Sequence, residues 1–508
     1  MSSFDFGQVN DAQKEAVLTT EGPVLIIAGP GTGKTYTLVK RISYLVKEKN
    51  VKPGEIMVVT FTEKAGKELL TRISNEFIDL NLNINEMYIG TFHSVCLRLL
   101  KEYSEYVEED GRCRMLDAFE QPYLVCRNID AFNRLGNYKR YITAKSQWEQ
   151  SLEICRYVNQ MMEELVDIDA MENDADEDMR FLAKLVRRYQ DLLARNNAMD
   201  FSSIQTKTYD MLQKYPEVLS QIQESIRYIM VDEYQDTNYI QEQLVLLFAG
   251  ERQNICVVGD DDQGMYRFRG ATIRNILEFP DKFEKNKCRM IQLDTNYRSE
   301  PGIIDFYNRW MENVDGINLF NWDRYRYAKT IKPGKLPLLS EHSVYSCGGD
   351  SIEAEKEELL KLVRTLISRG NITDYNQIAF LFRSVKSEEA AEIGAWIEEN
   401  GIPVYSPRSD MFFEREEVKE FLGCLIMCFT SYMMDLKKDM FLHRISSRLR
   451  DYYISCLKTS LPLAKADPSL MQYIDSVKNG IQGLKGESDF GLLDIFYHLI
   501  SHQPFKTY

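Results

Sequence analysis

The sequence contains no long apolar segment. No run reaches the roughly 18–20 apolar residues that a membrane-spanning helix requires. The first ten residues, MSSFDFGQVN, lack the basic and apolar regions of a secretory signal. These absences argue against a membrane or secreted protein, so we expect a cytoplasmic protein with no membrane partner.

Paired cysteines, glycine and proline are also scarce. The ten cysteines include no CxxC pair, which is the spacing typical of zinc sites and redox dithiols. With 27 Gly and 14 Pro among 508 residues, the composition is not that of a fibrous or low-complexity chain. The net charge of −15 argues against a uniformly basic surface for nucleic acid, although such a sum does not report a local basic groove.

What the sequence does contain is a set of short apolar runs that end in polar residues. These are the runs at 23–27 (PVLII), 56–61 (IMVVTF), 228–233 (YIMVDE) and 255–260 (ICVVGD). Continuously apolar strands are typical of a parallel sheet that is covered on both faces. Ligands bind such sheets at the carboxyl ends of the strands. The pattern therefore predicts a nucleotide-binding α/β sheet.

The rest of the chain divides by its periodicity. At roughly 100–200 residues per domain, the length indicates about three or four domains. Residues 95–225 have helical spacing, and a second α/β segment is predicted near MIQLD (290–294), LVRTLISRG (362–370) and QIAFLFRS (377–384). From about residue 415 the pattern is helical again.

The stretch AGPGTGKT (28–35) follows the first apolar run and precedes a helical pattern. In a phosphate-binding loop, backbone N–H groups hold phosphates, a lysine neutralises them and a hydroxyl binds Mg²⁺. Gly31, Gly33, Lys34 and Thr35 fill these roles, whereas Ala28 departs from the glycine of the strict pattern. Glycine-rich turns also occur without ligands, so the assignment depends on the rest of a site.

Two further strand ends supply that site. Phosphoryl transfer needs a carboxylate for the metal and a group that orients the attacking water, and Asp232 and Glu233 suit these tasks. Gln263 follows the next apolar run, where it could contact the γ-phosphate. The aromatic and arginine residues of MYRFRGA, including Tyr266 and Phe268, suit single-stranded nucleic acid, because every base has a face for stacking.

Seven motifs in this order resemble those of superfamily 1 DNA helicases of the UvrD/Rep/PcrA type. They are VNDAQKEAV, AGPGTGKT, VVTFTEKAGKEL, GTFHS, DEYQDT, VVGDDDQGMYRFRGA and LDTNYRS. The resemblance implies a RecA-like P-loop NTPase fold, α/β with a parallel sheet and a helical insertion. An incomplete second RecA-like domain and part of its own helical insertion would follow.

The resemblance also implies roles for individual residues. Gln13 would contact the adenine edge, Tyr297 would stack on the adenine, and Arg298 would reach the γ-phosphate as an arginine finger. The expected catalytic set is Lys34, Asp232, Glu233, Gln263 and Arg298, and the expected ATP-binding set is Gln13, Ala28, Gly29, Pro30, Gly31, Thr32, Gly33, Lys34, Thr35, Tyr36, Tyr297 and Arg298. Thr35 and Asp232 would hold Mg²⁺.

The expected DNA-contacting set is Thr60, Phe61, Thr91, His93, Tyr266, Phe268 and Arg269. An isolated histidine more often has a structural role, so the sequence supports a DNA contact by His93 less than it supports contacts by the aromatic members. Three positions depart from the family: Tyr36 replaces an arginine, Glu63 an asparagine and Phe268 a tryptophan. These changes bear on affinity more than on the kind of function.

The family's motifs V and VI, with the second arginine finger, are not found after residue 422. We therefore expect a truncated or split protein. The predicted domains are a first motor domain (1–100 and 196–286), its helical insertion (101–195), an incomplete second motor domain (287–418) and part of that domain's insertion (419–508).

The expected function is that of an ATP-dependent 3′–5′ DNA helicase or translocase on single-stranded DNA. This portion would bind ATP, Mg²⁺ and DNA, including junctions of single and double strands, but would hydrolyse ATP poorly alone. Repair or replication proteins are possible partners. The alternative is an ATP-gated switch that binds DNA or a protein without unwinding; a metabolic P-loop kinase would have no use for the arginine and aromatic cluster.

Overall fold

The computed structural model describes residues 4–78, 82–107, 113–267, 270–312, 322–334, 343–385, 387–405, 413, 415–429, 447–482 and 491–506. By its internal contacts the chain forms two compact units. Unit 1 comprises Met1–Lys145 and Glu149–Val344, and unit 2 comprises Ser146–Trp148 and Tyr345–Tyr508. Within the described residues, no helix combines the length and apolar character needed to cross a bilayer.

The described strands all lie in unit 1. They are β1 (Val24–Ala28), β2 (Ile56–Thr60), β3 (Tyr88–Thr91), β4 (Arg114–Met115), β5 (Ala198–Met199), β6 (Tyr228–Val231), β7 (Ile255–Gly259), β8 (Arg289–Leu293), β9 (Thr295–Asn296) and β10 (Lys332–Pro333). Six of them form one sheet in the order β3-β2-β6-β7-β1-β8, with every neighbouring pair parallel. The four apolar runs are β1, β2, β6 and β7, so the predicted parallel α/β sheet is confirmed.

Alternating side chains of the sheet enter two separate cores. In β1, for example, Leu25 and Ile27 belong to one apolar cluster, and Val24 and Ile26 belong to the other. Helices cover both faces, which is why the strands are apolar throughout rather than at every second position. The parallel direction brings the ends of β1, β2, β6, β7 and β8 to one edge, and the loops there carry the predicted site.

The helices of unit 1 surround this sheet and form an insertion. They are α1 (Asp11–Leu18), α2 (Lys34–Lys47), α3 (Glu63–Glu76), α4 (Phe92–Glu102), α5 (Glu120–Arg127), α6 (Ile129–Asn133), α7 (Tyr138–Tyr141), α8 (Gln147–Glu163), α9 (Ile168–Glu172), α10 (Glu177–Arg195), α11 (Phe201–Lys214), α12 (Pro216–Ser225), α13 (Tyr239–Ala249), α14 (Arg274–Leu277) and α15 (Pro301–Met311). A third apolar cluster, from Leu116 to Ala198, holds the insertion together. The predicted helical insertion is therefore present.

Two strand interpretations need correction. The strand at MIQLD, which we assigned to a second α/β segment, is β8 and pairs with β1 at the edge of the first sheet. The run QIAFLFRS forms no strand, because a strand needs a hydrogen-bonding neighbour and none lies beside it in the described residues. Ile378 and Phe382 pack instead with the apolar cluster around Leu360 and Ile393.

The described part of unit 2 is helical. Its helices are α16 (Ile352–Ser368), α17 (Glu388–Glu399), α18 (Glu416–Cys428), α19 (Ser447–Ala466), α20 (Pro468–Gln482), α21 (Leu492–Ile500) and α22 (Gln503–Lys506). The helices from α18 onward share one apolar cluster that includes Cys424, Leu470 and Leu499. This agrees with the helical pattern expected from about residue 415.

Candidate active site

The loop after β1 has the backbone of a phosphate-binding turn. Gly31 and Gly33 lie in the left-handed region, with φ of 71° and 83°, which glycine adopts without steric cost. Gly33 is also the N-cap of α2 and provides no side-chain hydrogen bond there. The first N–H groups of a helix have no intrahelical acceptor, and together with the helix dipole they favour an anion. The loop therefore fits a phosphate.

A second segment, which follows β8, holds this loop in place. The Asn296 side chain donates from Nδ2 to the carbonyl of Pro30 at 2.7 Å, and the Tyr297 N–H donates to the carbonyl of Gly31 at 2.9 Å. A Cβ on Gly31 would lie 2.7 Å from the Asn296 amide. Glycine is thus required at this position by close approach as well as by φ.

The predicted adenine contacts lie beside the same loop. Gln13 is 2% exposed; its Nε2 donates to the carbonyl of Thr32 at 3.0 Å, and its Oε1 accepts from the Asn10 N–H at 3.0 Å. Both ends of the Gln13 amide are therefore engaged within the protein. Asn10 also donates from Nδ2 to the hydroxyl of Tyr297 at 2.9 Å, so Gln13 and Tyr297 are linked through Asn10. Tyr36 lies further along, where its hydroxyl accepts from the Gln8 N–H at 3.3 Å.

Lys34 and Glu233 form the central ion pair of the site. Lys34 Nζ lies 2.7 Å from Glu233 Oε2, with 11% and 34% of the two side chains exposed. Glu233 has φ of 53°, a value that few residues other than glycine adopt and that is often found at functional positions. The Gln235 side chain donates from Nε2 to the same Glu233 oxygen at 2.8 Å. Lysine and carboxylate thus come together from β1 and β6, which are not neighbours in the sheet.

Two buried carboxyl groups flank that pair. Burial and then the charge of Glu233 raise the pKa of Asp232 to about 6, although Lys34 opposes the shift. Burial and Glu233 likewise raise the pKa of Asp236 to about 7, and its buried Oδ1 has no hydrogen-bond partner in the described structure. A bound cation would relieve this crowded negative charge, and carboxylate oxygens are donors that Mg²⁺ prefers. Thr35, the other predicted metal ligand, lies in the first turn of α2.

Gln263 follows β7, and Arg298 follows β9. Gln263 donates from Nε2 to Asp260 Oδ2 at 2.6 Å. The Arg298 backbone N–H donates to Asn296 Oδ1 at 2.7 Å, while its side chain is exposed. Asn296, two residues before Arg298, also binds the loop after β1. The start of this segment is therefore held against that loop.

Among the predicted DNA contacts, two aromatic residues form a partly exposed pair, whereas two threonines make local hydrogen bonds. The rings of Phe61 and Tyr266 lie 5.0 Å apart at 32° and are both partly exposed. The hydroxyls of Thr60 and Thr91 serve local hydrogen bonds, to the Thr62 carbonyl and from the Ser94 N–H. Phe268 and Arg269 lie outside the described residues.

His93 is held by residues of α11. Its ring contacts Gln205 through Nε2 and meets Phe201 edge to face at 5.3 Å. Burial lowers the pKa of His93 to about 4, and the carboxylate of Asp200 only partly opposes the shift. The imidazole is therefore neutral at physiological pH.

Sequence reasoning missed four residues that organise the site: Asn10, Gln235, Asp236 and Asn296. All four stand within the family's motifs, and three of them lie within three residues of Glu233 or Tyr297, so polar residues near the predicted catalytic ones were the available signal. Asn10 could have been found from the pattern of Asn10 and Gln13, which form a capping box at the start of α1.

Two helicase domain families match this chain. Residues 9–284 match the UvrD/REP helicase N-terminal domain, and residues 291–455 match the UvrD-like helicase C-terminal domain. The ATP-dependent DNA helicase PcrA of Staphylococcus epidermidis is 32% identical over 428 residues, which cover 82% of this chain and 53% of that protein. PcrA of Staphylococcus aureus is 31% identical over 426 residues, with the same coverage. The chain thus spans about half the length of these relatives.

Proposed function

Because this chain belongs to the UvrD/REP helicase family, we propose that it is the ATP-binding motor portion of a 3′–5′ DNA helicase or translocase. The observation that carries the proposal is the meeting of Lys34 with Glu233 at 2.7 Å, beside the buried Asp232 and behind a loop suited to phosphate. Its substrates would be ATP with Mg²⁺ and single-stranded DNA, including single/double-strand junctions. We place it in the cytoplasm, with repair or replication proteins as candidate partners.

The phosphates would bind to the backbone N–H groups of residues 31–35 and to the ammonium of Lys34. Bound ATP with Mg²⁺ supplies the phosphoryl group whose transfer to water drives the cycle. Thr35 and Asp232 would hold the metal. In the structure Lys34 is paired with Glu233, so nucleotide binding must exchange this ion pair for contacts with phosphate.

Glu233 would then orient the attacking water and accept its proton. A catalytic base must be held in hydrogen-bonding position. Gln235 contributes to this, because its Nε2 donates to Glu233 Oε2 and its Oε1 accepts from the backbone N–H of Asp260 at 3.0 Å. The end of β7 thereby fixes the carboxylate at the end of β6.

Tyr297 and Arg298 would complete the nucleotide site, by stacking on the adenine and by stabilising charge on the γ-phosphate. We propose that the predicted domain boundaries apply, except that β8 extends the first motor domain's sheet beyond residue 286. Since no counterpart of a second arginine finger is identified in the sequence, we propose that the chain alone hydrolyses ATP poorly.

The DNA path would cross the ends of β2 and the loop after β7, where Phe61 and Tyr266 form a partly exposed ring pair. Base stacking on such rings is tolerant of sequence. This suits a translocase, which must bind every base in turn.

The proposal is tested by nucleotide binding to the full chain. Lys34→Ala should weaken ATP binding in Mg²⁺ by about tenfold to hundredfold, the loss expected for hydrogen bonds to a charged group. The exposed Lys49, beyond the end of α2, provides the matched control Lys49→Ala. Unchanged ATP affinity in Lys34→Ala would contradict the site. Stimulation of the chain's low ATP hydrolysis by single-stranded DNA would favour the motor over the switch.

A further inference from the structure

A buried ionic cluster lies in the loop after β7, next to Gln263 in the sequence. The carboxylate oxygens of Asp260, Asp261 and Asp262 lie within 4.8 Å of one another. The ammonium of Lys329 lies among them, 2.6 Å from Asp260 Oδ1 and 3.0 Å from Asp262 Oδ2, and it also pairs with Asp261. Only 3% of the Lys329 side chain is exposed. None of this was expected from the motifs.

The cluster needs its lysine for an electrostatic reason. Three carboxylates this close repel one another strongly when buried. Burial alone would lower the pKa of Lys329, but the charges of Asp260, Asp261 and Asp262 outweigh it and hold that pKa above its ordinary value. Lys329 therefore stays charged, and its ammonium can donate three hydrogen bonds at once.

Further contacts tie the segment that carries Lys329 to the same aspartates. Trp322 donates from Nε1 to Asp262 Oδ1 at 2.9 Å, and Arg326 lies 3.3 Å from Asp262 Oδ2. The Tyr327 N–H donates to Asp261 Oδ2 at 2.7 Å. The loop after β7 and the segment 322–329 are thus fixed to each other at several points.

From Asp260 the contacts continue into the site. Asp260 Oδ2 accepts from Gln263 Nε2 at 2.6 Å, and the Asp260 N–H donates to Gln235 Oε1 at 3.0 Å. Gln235 in turn donates to Glu233 at 2.8 Å. A continuous chain of polar contacts therefore runs from Lys329 through Asp260 to two amides, that of Gln235, which contacts Glu233, and that of Gln263, which is predicted to contact the γ-phosphate.

We propose that Lys329 is a positioning residue for recognition of the terminal phosphate. It holds the Asp260 carboxylate, which in turn sets the orientation of the Gln263 amide. An unrestrained amide can present either its oxygen or its nitrogen, so losing the anchor removes a defined donor from the γ-phosphate. The inference rests on the proposed function, because it assumes that ATP occupies this site.

The test measures how well the full chain distinguishes ATPγS from ADP, by displacement of a fluorescent nucleotide in Mg²⁺. In Lys329→Gln the ratio of the two affinities should fall by about tenfold, as expected when one hydrogen bond to a charged group is lost. ADP affinity should stay near that of the wild type. Lys332→Gln is the matched control, since this lysine is three residues away, 68% exposed in its side chain and paired with Asp294.

A second variant tests the route and covers a failure to fold. Asp260→Asn keeps the shape of the side chain but removes the charge that joins Lys329 to Gln263, so it should lower the same ratio. Because both changes interrupt one path, the double variant should lower the ratio no further than either single variant. If Lys329→Gln loses its thermal unfolding transition, Asp260→Asn decides the question by itself.

The outcomes separate the two hypotheses. A wild-type ratio in a folded Lys329→Gln or Asp260→Asn chain, or additive losses in the double variant, would overturn the role of Lys329 and leave the proposed function standing. A wild-type chain that binds neither nucleotide would overturn the proposed function and this inference with it.

Discussion

Replacing Asp232 with asparagine should stabilise the folded protein near neutral pH while it weakens Mg²⁺-dependent nucleotide binding. The side chain is 7% exposed, and burial together with Glu233 raises its pKa from 3.8 to about 6 in spite of Lys34. The folded chain therefore carries an ionised carboxylate in a place that disfavours it. Asparagine keeps the shape and removes the charge.

The size of the effect follows from the pKa shift. A pKa shift of about two units, at about 1.36 kcal/mol per unit, corresponds to about 3 kcal/mol in the free energy of unfolding. Because the folded pKa is the higher one, the folded chain retains a proton between pH 3.8 and about 6 that the unfolded chain has released. The free energy of unfolding therefore falls as the pH rises through that window and stays low above it. Asp232→Asn has no carboxyl group to ionise, so it does not lose this free energy. Its gain in stability over the wild type should be largest near neutral pH and should disappear toward the acid end of the window.

The assay is urea unfolding followed by circular dichroism at several pH values, with separate transitions fitted where the two units unfold independently. Glu224→Gln, at an exposed position of α12, is the control for loss of a carboxylate. Isothermal calorimetry with ATP in Mg²⁺ reports the functional cost. An Asp232→Asn chain no more stable than the wild type near neutral pH, or equally stabilised at every pH, would refute the reasoning.

Three further predictions concern single side chains. Glu233→Gln should bind ATP somewhat more tightly, because Lys34 loses its competing partner, yet lower DNA-stimulated turnover by about 10²–10⁴-fold in steady-state assays; retained turnover would remove Glu233 as base. His93, whose folded pKa of about 4 lies below its unfolded value, should titrate there by NMR, and the stability it contributes should be lost as the pH falls from about 6.5 toward 4; a midpoint near 6.5 would contradict its burial. Tyr266→Ala should lose roughly 1–3 kcal/mol of oligonucleotide binding by fluorescence anisotropy, whereas Tyr405→Ala, at an 87% exposed tyrosine, should lose none.

The sheet was predictable where a strand carries its own signal. The runs that became β1, β2, β6 and β7 are buried at every position, so their apolar character shows regardless of which strand pairs with which. β3 was not recognised as a strand, because its four residues, YIGT, are all only partly buried. A strand of this kind is identified by its neighbours rather than by its composition.

Pairing itself was not predictable. The strand β8 is exposed at three of its five positions, a pattern that fits an edge strand but does not say of which sheet. The run QIAFLFRS has a comparable apolar content, yet Leu381 is 94% exposed and no strand forms. Local sequence gives the tendency to extend, whereas the sheet depends on a partner that is distant in the chain.

The meeting of the proposed catalytic side chains was predictable because phosphate chemistry prescribes their type and position. Lys34 and Glu233, 199 residues apart, were expected to meet and do so. Lys329 was not, because a lysine within the polar stretch RYRYAKT gives every indication of an exposed charge. Its burial depends on three aspartates about 68 residues earlier, and only the folded chain brings those together.

Three amide side chains connect the loops of the site, and this has an electrostatic consequence. Gln13 joins α1 to the phosphate loop, Asn296 joins that loop to the segment after β8, and Gln235 joins the ends of β6 and β7. Each uses its oxygen as an acceptor and its nitrogen as a donor, which a carboxylate or an ammonium is unable to do. A glutamate in place of Gln235 would face Glu233 with a like charge at close range, and the two carboxylates would repel each other. The amides therefore fix the geometry while leaving the charge balance to Lys34 and the neighbouring carboxylates, the groups that a nucleotide and its metal would contact under the proposed function.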